Sequence, residues 1–179
     1  MSAFTLAKSF LQLKIREHYS REHILRLQEK KVRKQLIHAF DHSSFYHQLY
    51  LSKGISREDL HTIDLKKIPP VDKEMIMNHF DEVITVDDIT KDEVLEFLDR
   101  STKTNDLFKN KYHILHTSGS SGKLGIFVYD EKEWDTLYPY IANVFNFNFR
   151  KNKSVFIGAV GGHFTGASFI SWCTQGVTR

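Results

Sequence analysis

The stretch that decides the fold is residues 112–129, YHILHTSGSSGKLGIFVY. It reads as two short apolar runs, Tyr112 to His116 and Gly125 to Tyr129, on either side of a loop made of Thr117, Ser118, Gly119, Ser120, Ser121, Gly122 and Lys123. Short runs rich in aromatic and β-branched residues, joined by a Gly/Ser-rich connection, predict strand, loop and strand. Directly after them Asp130 stands three residues before Glu133, the spacing of a capping box, and Trp134, Leu137, Ile141, Val144 and Phe145 form a helical apolar face behind it. Further on, Lys153 to Val160 reads as another strand and Ala167 to Cys173 as the opening turns of another helix.

Working back towards the N-terminus, the pattern is helical. From about residue 5 to 50 apolar positions recur at helical spacing, as in Val32, Leu36 and Phe40 with Ile37 beside them. Gly54 and the run Ser56-Arg57-Glu58-Asp59 interrupt it, and Pro69-Pro70 imposes an extended segment before a helical pattern resumes at Lys73 to Met77. The acidic run from Asp81 to Asp99 is expected to surround a short strand at Val83-Ile84-Thr85-Val86 and one more helix. The fold class expected is therefore α/β: a mainly helical region over 1–105, then alternating strands and helices over 106–179, together part of one domain.

Composition fits a packed, reducing-compartment protein. The 179 residues are 41% hydrophobic with one cysteine, Cys173, which excludes an internal disulfide scaffold and points to a cytoplasmic location. Residues 1–13 lack the pattern of a signal peptide. Ser154 to Cys173 is long enough and uncharged enough for a membrane span, but Gly158, Gly161, Gly162, Gly166, Ser168 and Ser171 make it a short strand that breaks into a glycine-rich loop. The net charge of +3 conceals three blocks: 11 basic against 6 acidic residues in 1–60, 5 against 11 in 61–100, and 9 against 5 in 101–179. Arg26, Lys30, Lys31, Arg33 and Lys34 alternate with acidic residues as on a solvated helix face, so neither nucleic acid nor a membrane is expected as a partner.

The loop Thr117 to Lys123 carries the chemistry. Six hydroxyl or glycine residues followed by a lysine offer a polyphosphate convergent backbone N–H groups, hydroxyl donors and a cation. It is not a Walker A loop: two residues separate Gly119 from Gly122, and Leu124 stands where a magnesium-holding Ser or Thr would be. A Ser/Gly-rich hairpin tip with no ligand satisfies the same composition.

Read with its neighbours, Thr117-Ser118-Gly119-Ser120-Ser121-Gly122-Lys123-Leu124-Gly125 resembles the phosphate-binding signature of the adenylate-forming superfamily of acyl-CoA synthetases and ligases. Leu36 to Phe40, Ser44-Phe45-Tyr46, Leu65 to Glu74 and Gly161-Gly162-His163-Phe164-Thr165-Gly166 resemble more narrowly the phenylacetate-CoA ligase branch and its capsular polysaccharide synthesis-like relatives. The resemblance runs from about residue 25 to the end. It departs at Leu124, where proline is usual, and at Gly125, where many members carry lysine.

The resemblance implies an ATP-dependent carboxylate-adenylating ligase, in which an acid and ATP give an acyl-adenylate and pyrophosphate and coenzyme A then takes the acyl group. Residues 106–179 would begin the AMP-binding subdomain of a large N-terminal domain. Thr117, Ser118, Gly119, Ser120, Ser121, Gly122 and Lys123 would bind the ATP phosphates, with magnesium bridging them, and His163 and Phe164 would line the acid pocket. The family's later motifs, including its catalytic lysine, have no counterpart before Arg179, so no catalytic residue is assigned and this chain alone is expected to be inactive. The alternative expectation is an incomplete fragment or remnant that serves as a nucleotide-binding or interaction module. Expected partners are ATP and a carboxylic acid, together with either a homo-oligomer or dependence on the residues that would follow. An unfinished sheet edge implies poor solubility.

Other residues take plainer readings. His38, His42 and His47 have no cysteine or carboxylate that completes a metal set, so no metal ligand is assigned. His116 reads either as a phosphate or substrate contact or as a strand-end histidine satisfied by backbone. Trp134, Phe145, Phe147 and Phe149 read as core rather than base-stacking platforms, and Cys173 as a small buried hydrophobe.

Overall fold

The computed structural model describes residues 3–117, 124–144, 162–164, 166 and 168. These form a mixed α/β, mostly helical protein with one two-stranded antiparallel sheet. They divide into two compact units, Tyr19–Glu93 and Met1–His18 with Val94–Arg179. Among the described residues no helix is long and apolar enough to cross a membrane.

In the unit Tyr19–Glu93, α1 being reserved for the N-terminal helix Ala3–Arg16, the first element is α2, Arg21–His42, followed by α3, Ser44–Ser52. Ser20 starts α2 by accepting the His23 N–H at 3.2 Å. Ser43 does two jobs between the helices: its N–H closes α2 on the Ala39 carbonyl, and its hydroxyl oxygen accepts the Tyr46 N–H to open α3. The same hydroxyl donates to the Glu82 carbonyl at 2.7 Å, so a serine only 2% exposed has every polar group used. Phe40, Tyr50, Ile55 and Leu60 make the core, with Leu36, Ile37, Tyr46, Leu49, Ile63 and Ile68 packed against it. Burial pushes the Tyr50 phenol up to about 12.

Gly54, at φ +69°, ends α3 in the left-handed conformation that glycine tolerates best, and the chain turns back so that the Ile55 N–H reaches the Tyr50 carbonyl. Arg33 pins the returning segment to α2, donating to the Leu60 and Ile63 carbonyls at 3.2 and 3.1 Å. Beyond the prolines, Asp72 caps α4, Lys73–Asn78, by accepting the Met75 N–H, and the short α5, Phe80–Val83, follows.

The strand expected at Val83 to Val86 does not form. Val83 ends α5, and the Ile84 N–H is already spent on the Phe80 carbonyl. The Glu82 carbonyl just before that run is taken by Ser43, so helix-end contacts use backbone groups that a strand partner would need.

The other unit contains α1 and the segment from Val94 onward. Val94, fully buried, belongs to α6, Lys91–Arg100, whose first turn lies in the unit already described. After α6 the chain makes a tight turn in which Lys109 and Asn110 both have positive φ, 52° and 54°, a conformation uncommon outside glycine. Phe108 and Tyr112 exchange two backbone hydrogen bonds of 2.9 Å across it. Strand β1, Tyr112–His116, then pairs antiparallel with β2, Ile126–Asp130, in the register Ile114 to Val128. Asp130 and Glu133 form the expected capping box: the Glu133 N–H donates to the Asp130 carboxylate at 2.6 Å and the Asp130 N–H to the Glu133 carboxylate at 3.0 Å. It opens α7, Glu131–Val144, which packs on α1, where Arg16 donates to the Tyr140 hydroxyl. The strand expected over Lys153 to Val160, together with Phe145, Phe147, Phe149 and Cys173, lies outside the described residues.

Candidate functional site

β1 organises the site because both of its edges are used near His116. On one edge β2 pairs residue for residue. Beyond the last pair the Thr117 N–H donates to the Gly125 carbonyl at 2.9 Å, and the Gly125 N–H donates to Thr117 Oγ1 at 3.2 Å. These two bonds close the base of the loop. Thr117 Oγ1 thus accepts a hydrogen bond from the far side of the loop. Ser118, Gly119, Ser120, Ser121, Gly122 and Lys123 lie outside the described residues.

On the other edge the segment Gly162-His163-Phe164 runs parallel to the end of β1. The His116 N–H donates to the His163 carbonyl at 2.9 Å, and His116 bridges Phe164. The His116 and Phe164 rings lie 4.2 Å apart between centroids. Gly162, at φ +65°, makes the turn into this segment, and its N–H reaches the Thr102 carbonyl. His163, Phe164 and Thr117, assigned from separate stretches of sequence, therefore meet at one corner of the hairpin. His116 follows the plainer of its two readings at the backbone, with its ring against Phe164.

Two polar residues that no motif marks out stand behind His163. Its imidazole is 2% exposed, and Nε2 lies 2.9 Å from Ser101 Oγ. Ser101 donates its hydroxyl proton to Asp106 Oδ2 at 2.8 Å. With that proton committed to an acceptor-only carboxylate, the Ser101 oxygen is the acceptor and His163 Nε2 carries the hydrogen. Phe97 packs on the other side, 4.9 Å from the ring. Burial lowers the basicity of His163 and the neighbouring His116 adds to this, while the Asp106 charge and a hydrogen bond with the Ile114 backbone act in the opposite sense. Burial is the largest of these influences and disfavours the charged ring.

On β1 itself His113 turns to α7. It stacks on Trp134 with ring centroids 4.5 Å apart and planes 15° from parallel, and burial pushes its imidazole down to about 4. Trp134 is 3% exposed, which fits its reading as core. His38 and His42 touch ring to ring at 4.5 Å, and His47 Nδ1 lies 3.1 Å from the Phe40 carbonyl. Among the described residues no group of three His, Cys, Asp or Glu gathers to hold a metal ion.

No protein-family model matches this chain, and no curated protein matches it.

Proposed function

We propose that this chain carries the ATP-phosphate loop and part of the acid-binding wall of a carboxylate-adenylating ligase similar to phenylacetate-CoA ligase. One observation supports the reading above others: the base of the Ser/Gly loop at Thr117 and Gly125 and the glycine-rich segment with His163 and Phe164 flank the same residue, His116. A phosphate cradle and a carboxylate pocket must be neighbours for an acid oxygen to reach the α-phosphorus of ATP.

In this reading the backbone and hydroxyls from Thr117 to Gly122 wrap the β- and γ-phosphates, and Lys123 supplies the counter-charge. The closed loop base holds Thr117 in place beside the anion without a reorganisation cost. Phe164 presents an apolar edge to the organic part of the acid, and His163, buried behind it against Ser101, backs that edge. Magnesium would offset the phosphate charge held at the loop; the acid would displace pyrophosphate from ATP to give the acyl-adenylate, and the thiol of coenzyme A would then displace AMP.

The test is a titration of the isotopically labelled chain with ATP and magnesium, followed at the backbone amides of Thr117 and Gly125. Ser120→Ala with Ser121→Ala should weaken binding severalfold. Labelled pyrophosphate should exchange into ATP with some member of a panel of aromatic and aliphatic acids when the residues supplying the catalytic lysine are present. Amides that do not respond to millimolar ATP would leave the loop as a plain hairpin tip and defeat the proposal.

A further inference from the structure

Outside this site the strongest unused feature is a basic cleft on α2. It is about 790 Å³ and is lined by Arg26, Leu27, Glu29, Lys30, Lys31, Arg33, Lys34 and Ile37 on the helix, with His61 opposite. Of these, Leu27, Lys30, Lys34 and Ile37 recur every three or four residues and so share one face. Arg33 is occupied by Glu29 and by two backbone carbonyls. Lys30 and Lys34 are exposed, and among the described residues no carboxylate pairs with either. Leu27 and Ile37 give the cleft an apolar floor under a cationic rim.

That combination selects its occupant. Phosphate backbones and lipid headgroups gain nothing from an apolar floor, and a concave wall suits a rod better than a bilayer. An amphipathic helix with an acidic stripe beside an apolar residue fits both features. The chain carries such a helix itself. On α6, Asp92, Glu96 and Asp99 recur at helical spacing on the exposed face, and Leu95 beside them is 38% exposed. The basic first sixty residues and the acidic forty that follow give the two surfaces opposite charge.

We infer that the α2 cleft receives the acidic face of α6 from a second copy of this chain. Lys30 and Lys34 meet Asp92 and Glu96, and Leu95 lies on Leu27 and Ile37. The contact is heterologous, so each copy offers one cleft and one stripe, and association continues past a dimer unless a ring closes. Isolated exposed ion pairs contribute little, so the apolar contact holds the complex and the charges select it.

Sedimentation velocity of the chain over a range of concentrations, at about 0.05 M and about 0.5 M salt, tests this, because the Debye length falls several-fold between the two. The expected result is concentration-dependent growth in mass at low salt that weakens at least about tenfold at high salt. Lys30→Glu with Lys34→Glu should abolish it, and so should Asp92→Lys with Glu96→Lys. All four positions are exposed, and unchanged circular dichroism checks the fold of each variant. An equimolar mixture of the two variants should associate again, since each supplies the face the other has reversed. A chain that stays monomeric, association indifferent to both variants, a mixture that stays apart, or a cleft that instead retains RNA or anionic vesicles would overturn the inference.

Discussion

Replacing Ser101 with alanine tests whether the buried chain from Asp106 through Ser101 to His163 holds the corner of the site. The substitution removes two hydrogen bonds of unequal value. Asp106 is exposed, so water replaces the lost donor at little cost. His163 is 2% exposed, and its Nε2–H loses its acceptor where water does not reach. An orphaned buried donor costs about 1–3 kcal/mol, and the deleted hydroxyl leaves only a small void. The loss falls on the segment whose carbonyl receives the His116 N–H, so local opening of that bond becomes roughly 5- to 150-fold more frequent at 1.4 kcal/mol per decade. Amide hydrogen exchange of His116 and Thr117, read residue by residue, measures it directly. Asp106→Ala should accelerate the same amides far less, because Ser101 Oγ still accepts from His163. A His116 exchange rate that changes less than about twofold in folded Ser101→Ala, or an Asp106→Ala effect as large as that of Ser101→Ala, would refute the reasoning.

His113 makes stability fall in acid. Its folded value of about 4 lies below the ordinary 6.5, so the unfolded chain binds the extra proton; the stabilisation is complete above 6.5 and is lost as pH falls towards 4. The full shift corresponds to about 3 kcal/mol, which partial exposure of the ring reduces to roughly 1–2 kcal/mol; His163 contributes with the same sign. Urea midpoints between pH 7 and 4 should show the decline, and His113→Phe, which keeps a ring against Trp134, should flatten it; an unchanged slope would remove His113 as the cause. At the start of α7, Asp130→Ala deletes one half of the capping box and should cost about 1 kcal/mol, with Glu133→Ala adding little once Asp130 is gone. Single and double variants compared by denaturation check this, and strictly additive losses would mean that the two carboxylates act separately.

What the sequence made legible was local. The hairpin over residues 112–130 could be read because alternating apolar residues flank an uninterrupted Ser/Gly run, and the start of α7 because Asp130 and Glu133 stand at the spacing of a reciprocal cap. Val83 to Val86 misled because β-branched residues favour a strand only where a partner strand exists. Here Ser43, remote in sequence, takes the Glu82 carbonyl just before the run, and the Ile84 N–H within it goes to the Phe80 carbonyl. Ser101 and Asp106 carried no signal at all. Their link to His163 spans 62 residues and becomes visible only when the Gly162 turn lays that segment against β1. The two lysines of the α2 cleft were read as an ordinary solvated face, because nothing in the helix itself reveals that His61 stands across from them.

In the proposed reading the Ser/Gly loop meets a phosphate from a base held in advance. Its base is fixed by three bonds: the His116 N–H to the His163 carbonyl, the Thr117 N–H to the Gly125 carbonyl, and the Gly125 N–H to Thr117 Oγ1. At about 0.5–1.5 kcal/mol each they amount to roughly 2–4 kcal/mol, enough to keep the base open less than a few per cent of the time. A glycine-rich loop loses much backbone entropy when it closes on a ligand, and that cost grows with every residue left free at its ends. Closing the ends in advance removes the base residues Thr117 and Gly125 from that cost. Because one of the three bonds ends on His163, whatever seats or unseats its ring changes the position of Thr117 through the single residue between them. If the proposed function holds, acid bound beside His163 and phosphate bound at the loop are coupled through His116, and each ligand should tighten the other by the same factor.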